Sequence, residues 1–200
     1  MITSPQPPRG VDRLRRRLRG LRARVRARLG AASGPHTALI VAVPLPPHIE
    51  AIRHQHLPPG DLAVPAHVTV LYPFVPAGTI DDDVAHRVDT ALAGFDAFRF
   101  RLTRVEQFPG GLVYLAPEPA DRFRELTERV AAYWPEHPPY SGAFSQITPH
   151  VTMAHRKLEA GAHQELGAAL PLEFAASEVA LVEEAGDRSW STVCRFPLGV

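Results

Sequence analysis

The chain has 200 residues, 45% of them apolar and 22% charged, which suits one substantial domain or two small lobes around a shared core. It contains no run of eighteen apolar residues, and its basic N-terminus never opens into an unbroken apolar segment. Neither a membrane span nor a secretory leader is therefore expected. The lone Cys194 excludes an internal disulfide framework and a thiolate zinc cluster, and points to a reducing, cytoplasmic setting.

The net charge of +1 hides an asymmetry. Residues 9–28 hold ten arginines and a single acid, Asp12, leaving 12 basic against 20 acidic side chains elsewhere, a balance near −8. After a Pro-rich start, Val11, Leu14, Leu18, Leu21, Val25 and Leu29 recur at steps of three and four, with arginine filling most places between them. That pattern predicts a basic amphipathic helix of about 28 Å, stopped by Gly30 and Ser33-Gly34-Pro35. The chain thus divides into a disordered and helical N-terminal part, residues 1–35, and a folded domain over 36–200. For the arginine helix the readings are contact with RNA or another polyanion, an anionic membrane surface, packing on the domain or a partner, an organellar transit segment, or a loose basic tail.

In the domain, Thr37–Val43 reads as a buried strand and Pro47–Leu57 as a helix before a Pro-Pro-Gly turn. Val68, Val70 and Tyr72 alternate along a β-rich stretch closed by Pro73. Thr79–Gly94 reads as a helix with Thr79 as cap and Asp81, Asp82 and Asp83 in its first turn, where carboxylates favour the helix dipole. Phe98, Phe100 and Leu102, then Leu112–Leu115, predict a hairpin. Ala120–Trp134 is a second long helix, and a Pro-, Tyr- and Gly-containing loop follows. After Thr152 come a helix near Ala160–Leu170 and strands at Glu178–Val182 and Ser191–Phe196. Each half carries a Pro-preceded strand, then a helix and two strands, which predicts two similar α+β lobes meeting at a central cleft.

Those two strands carry the chemistry. His67-Val68-Thr69 and His150-Val151-Thr152 share a His-Val-Thr core, an upstream proline (Pro65, Pro149) and a matching place in the repeat. Ten histidines and ten threonines in 200 residues give about half of one His-x-Thr triplet by chance, so the shared context carries more weight than the count. On a strand, residues two apart share a face, so each histidine projects beside its threonine. Two imidazoles titrating near neutrality can divide the roles of acid and base, while threonine hydroxyls donate to phosphoryl oxygens without adding charge. That set suits in-line displacement at phosphorus.

These residues resemble the 2H phosphoesterase superfamily, which includes RNA 2′,3′-cyclic phosphodiesterases, also called 2′-5′ RNA ligases. His67 to Phe74 (HVTVLYPF) is similar to its first motif and Thr148 to Met153 (TPHVTM) to its second, with a looser match over residues 36–200. The resemblance implies a bilobal pseudo-twofold α+β fold of two antiparallel-sheet lobes with outer helices. It further implies opening of 2′,3′-cyclic phosphates or cleavage of 2′,5′-phosphodiesters, with reverse ligation as an accompanying activity. His67 would be the acid, His150 the base, and Thr69 and Thr152 the phosphate holders. One departure stands out: many members follow the second motif with Ala-Arg, whereas here Met153-Ala154 precedes His155, with Arg156 one place later on the opposite face of a regular strand.

Tyr72, Phe108 and Tyr140 are further candidates for substrate contact by stacking, with His155 and Arg156 as candidate phosphate partners, while Trp134 and Trp190 read as core. His54-x-His56 mimics a metal pair but has no carboxylate at ligand spacing, so no metal and no cofactor are expected. The partner expected is an RNA or nucleotide substrate, bound by a monomer. The competing readings are a non-catalytic module holding a nucleotide or RNA end, a hydrolase of another small cyclic phosphodiester, and a metal-dependent hydrolase.

Overall fold

The computed structural model of the protein describes residues 35–187 and 189–199. The predicted arginine-rich helix and the segment before it lie outside the described residues. Within them the order is β1 (Thr37–Ala42), α1 (Pro47–His56), the single turn α2 (Pro59–Leu62), β2 (His67–Leu71), α3 (Asp82–Leu92), β3 (Phe98–Gln107) and β4 (Val113–Glu118). There follow α4 (Ala120–Tyr133), a 3-10 turn (Pro139–Gly142), β5 (Val151–Ala154), α5 (Ala160–Ala169), β6 (Leu172–Ala176), β7 (Glu178–Glu184) and β8 (Trp190–Pro197). None of these helices is long and apolar enough to cross a membrane.

Local chemistry sets the boundaries. The cap of α3 is Asp81, whose carboxylate accepts from the Val84 backbone N–H at 2.8 Å. The predicted cap, Thr79, turns its hydroxyl back to the Pro76 carbonyl at 2.7 Å instead. A carboxylate at the cap opposes the helix dipole as well as satisfying an orphan donor, and the helix begins where that bond is available. In α4, Phe123, Leu126, Thr127 and Val130 recur at helical spacing and form its buried face.

All eight strands join one antiparallel sheet in the order β6-β3-β4-β5-β2-β1-β7-β8. The sheet has two four-stranded halves meeting at β2 and β5, and the halves exchange hairpins. The β3–β4 hairpin, which follows the first motif in the chain, lies beside β5. The β7–β8 hairpin, which follows the second, lies beside β1. The two motif strands are therefore hydrogen-bonded neighbours in one sheet rather than opposed walls of a gap. β6 was not expected from the sequence; it is an edge strand pairing with Phe98–Leu102 of β3.

One face of the sheet carries the main core. Val68, Leu102, Leu115, Val151 and Met153 are fully buried there against Ile49 and Ile52 of α1, Val88 and Leu92 of α3, Phe123 and Leu126 of α4, and Leu166 of α5. Each such side chain contributes roughly 1.5–3 kcal/mol on leaving water. The other face bears a small separate apolar cluster, Ala38, Ile40, Val64, Ala180 and Val182, against which Tyr72 and Trp190 pack.

Candidate active site

The seam between the halves is the pairing of Val68 with Val151. Both valines are fully buried and point to the core, so the side chains flanking them point to the other face. Continuing the antiparallel register sets His67 opposite Thr152 and Thr69 opposite His150. The four groups form a rectangle: Cβ atoms directly opposite lie about 4.5–5.5 Å apart, and the two histidines stand on a diagonal of about 7–8 Å.

A bulge follows each motif. The β1–β2 register shifts between Leu39 and Ile40, which pair with Leu71 and Thr69 and leave Val70 as the extra residue. The β4–β5 register shifts between Val113 and Tyr114, which pair with Ala154 and Thr152 and leave Met153 extra. An extra residue reverses the alternation beyond it. Leu71 and Ala154 therefore turn into the core, and the next residues, Tyr72 and His155, turn to the rectangle's face. Both line its cleft.

The imidazoles are fixed alike. Nδ1 of His67 lies 2.7 Å from the Pro65 carbonyl and Nδ1 of His150 lies 2.8 Å from the Thr148 carbonyl. A carbonyl only accepts, so each Nδ1 carries the proton and each Nε2 is the atom open to reaction. Beside His150, Phe108 and Tyr114 stack on each other at 4.3 Å between centroids and meet its ring edge-on at 5.1 Å and 5.5 Å. Tyr114 faces Thr152 across the β4–β5 ladder, and its hydroxyl donates to Glu106 at 2.6 Å. Burial pushes His67 down to about 4, opposed by its carbonyl partner and helped by the nearby Arg53 cation and His150. Burial likewise lowers His150. The site thus holds two neutral imidazoles at neutral pH.

The cleft has a volume of about 420 Å³, in the range of a small-molecule site. His67, Thr69 and Thr152 line it; His150 stands beside it, across from Thr69. One lip is the Leu57–Val64 segment, pinned from below by Arg53. This arginine is only 2% exposed and donates to the Asp61 carbonyl at 3.1 Å, the Val64 carbonyl at 3.0 Å and the Glu50 carboxylate at 2.6 Å. The lip crosses to the second half through Asp61, paired with Nε2 of His155 at 2.5 Å.

The sequence-predicted residues fall into three groups. His67, Thr69, His150 and Thr152 come together, with Tyr72 and His155 lining the same cleft. Phe108 packs on the His150 ring. Tyr140 reaches the site from the 3-10 turn, its N–H bonded to the Tyr72 carbonyl at 2.7 Å and its phenol beside the Thr69 hydroxyl. Tyr140 and Ser141 both have φ near +50° (50° and 53°), a conformation that costs a non-glycine residue energy and that clusters at functional sites. Arg156 is exposed and is not among the residues that line the cleft. His54 and His56 do not form a pair: His54 reaches Glu50 at 3.3 Å and His56 contacts the Ile52 carbonyl at 2.8 Å. No pattern in the chain pointed to Asp61, Arg53 or Glu184 in the cleft, and Trp190, expected in the core, lines it.

A family model described as the 2′-5′ RNA ligase superfamily matches residues 41–188. The chain belongs to that superfamily. Its fold is similar to that of TT0787 of Thermus thermophilus, with 21% identity over 82% of this chain and 97% of that one and a TM-score of 0.57. It is also similar to apo LigT of E. coli, with 19% identity, 84% and 100% coverage and a TM-score of 0.51. The same holds for LigT complexed with 3′-AMP, at 16% identity, 84% and 100% coverage and a TM-score of 0.50. No curated protein matches the chain. Just beyond the second His-Val-Thr triplet, the bulge at Met153 brings His155 rather than Arg156 to the cleft.

Proposed function

We propose that this chain is a metal-independent phosphodiesterase that opens 2′,3′-cyclic phosphates or cleaves 2′,5′-phosphodiesters of RNA or nucleotides, acting as a monomer through residues 36–200. One observation carries the reading: the Val68–Val151 pairing, whose register puts the two imidazoles and two hydroxyls on one face of the sheet. Both motifs come from one chain, so no second copy is needed to complete the set. LigT, of like fold, holds 3′-AMP, which supports a nucleotide as the substrate.

In this mechanism the phosphodiester lies between the two Nε2 atoms and accepts hydrogen bonds from Thr69 and Thr152. His150 takes a proton from water as its oxygen bonds to phosphorus. His67 gives a proton to the ribose oxygen as the P–O bond breaks, and the reverse ligation exchanges the two roles. The substrate's negative charge opposes the burial that keeps both rings neutral, so the proton on the acid arrives with the substrate. Burial, helped by the Arg53 cation, lowers His67; the assignment of acid and base rests on the superfamily resemblance.

The test is turnover of nucleoside 2′,3′-cyclic phosphates in EDTA. His67→Ala and His150→Ala should each lose about a hundredfold or more. Full activity in either variant would sink the reading. Tight nucleotide binding with no turnover by the native chain would leave a binding module, and inhibition by EDTA would favour metal-dependent hydrolysis.

A further inference from the structure

We propose that the β1/β7 side of the cleft is a nucleobase subsite whose edge is read by the Glu184 carboxylate, favouring guanine. The sheet face opposite the core would ordinarily be polar where it meets water. Here its floor is Ala38, Ile40 and Val182, with 6%, 1% and 2% exposure, in a cluster separate from the main core. Tyr72 and Trp190 pack against that cluster and line the same cleft as His67 and Thr69. An apolar floor between two aromatic side chains suits a flat ring better than a second charged phosphate.

The registers connect this floor to the reacting groups. Ile40 pairs with Thr69, so the floor begins one strand from the rectangle. Val182 pairs with Ala38 on the next strand. Two strand spacings of about 4.8 Å separate Thr69 on β2 from β7, a span suited to a ribose and its base. Glu184 and Trp190 pair across β7 and β8 one rung further along the same face. Among the described residues the carboxylate accepts one long contact, 3.4 Å, from the His36 backbone N–H. It lies near enough to Tyr72 to act on its phenol.

A carboxylate has two acceptor oxygens and no donor. Guanine presents adjacent ring N–H and amino donors that match it bidentately. Adenine and cytosine each set a donor beside an acceptor, and uracil flanks its single donor with two acceptors, so each leaves one carboxylate oxygen facing an acceptor or nothing.

This rests on the phosphodiesterase reading for the position of the phosphate, and the experiment separates the two. The four nucleoside 2′,3′-cyclic phosphates are compared as substrates of the full chain, of Glu184→Gln and of Trp190→Leu. The native chain should prefer guanosine by about tenfold or more in kcat/KM, as expected of hydrogen bonds to a charged group. Glu184→Gln should remove most of that preference while sparing the other three substrates, and Trp190→Leu should raise KM for all four. If nothing is turned over, calorimetric binding of guanosine and adenosine 3′-monophosphates to the native chain and to Glu184→Gln reads the same subsite. Equal handling of the four bases by the native chain, or a guanine preference untouched in Glu184→Gln, would overturn the proposal; so would equal binding of the two monophosphates.

Discussion

Tyr72 and His155 occupy equivalent positions, each five residues after a motif histidine and each turned into the cleft by a one-residue bulge. The two halves therefore repeat the device that re-aims a residue beyond the motif as well as the motif itself. His155 also holds the Asp61 lip. His155→Ala should raise KM several-fold with little change in kcat, while Arg156→Ala stays within about twofold of the native chain in kcat/KM. Steady-state kinetics on one cyclic nucleotide checks both, and a larger loss in Arg156→Ala would contradict the geometry.

Thr69 and Thr152 are read as uncharged donors to the phosphoryl oxygens. Valine keeps the branched shape and removes the hydroxyl. Each of Thr69→Val and Thr152→Val should lower kcat/KM about 10–100-fold, the worth of one hydrogen bond to a charged group. Melting temperatures close to native would show that the loss is chemical.

His67 makes stability depend on pH. Its folded value, about 4, lies below the ordinary 6.5, so the unfolded chain binds the proton more tightly. Stability from this group is full above pH 6.5 and drains away as the pH falls towards 4. Between pH 7.5 and 5 the native chain should lose about 2 kcal/mol more than His67→Gln. Urea denaturation at the two pH values measures the difference, and identical pH slopes would refute it.

Arg53 fixes the lip by hydrogen bonds to the Asp61 and Val64 carbonyls, while Glu50 on its own helix holds the guanidinium. Arg53→Met fills the volume but takes the donor from both carbonyls, and should cost about 3–5 kcal/mol in denaturant unfolding. Because the cation also lowers His67, the same variant should move the His67 titration upward, followed by NMR of its ring protons. A downward or absent shift would show that Arg53 does not act on that histidine.

Much of this was legible in the chain. The helices announce themselves by periodicity, as with Phe123, Leu126 and Val130, and the motif residues by a spacing of two that any strand converts into a shared face. The edge strand β6 was missed because five residues, LEFAA, carry a faint alternation of Leu172, Phe174 and Ala176 that only its pairing with β3 turns into a strand. The bulges left no local signature: Val70 and Met153 are ordinary strand residues, and each becomes extra only against its partner's register. That is why Tyr72 follows the alternation of Val68 and Val70 in the sequence, and why Arg156 was weighed alongside His155. Asp61, Glu184 and Trp190 reach the cleft from three distant segments, and no spacing in the sequence ties them to either motif. The hairpin exchange was hidden for the same reason, since chain order places β3–β4 after the first motif and says nothing of which strand it will flank.

The Val68–Val151 pairing has a consequence for how this protein can fail. β2 and β5 come from halves whose hairpins are exchanged, so neither half can assemble its share of the site in isolation. A slip of β5 by one residue against β2 would send His150 and Thr152 to the wrong face, dismantling the rectangle at once rather than weakening it by degrees. Turnover, if the proposed chemistry holds, then works as an all-or-none gauge of whether the two halves have met in register. A lesion far from the cleft, in the hydrophobic packing that holds β5 beside β2, would silence the protein as completely as the loss of a histidine.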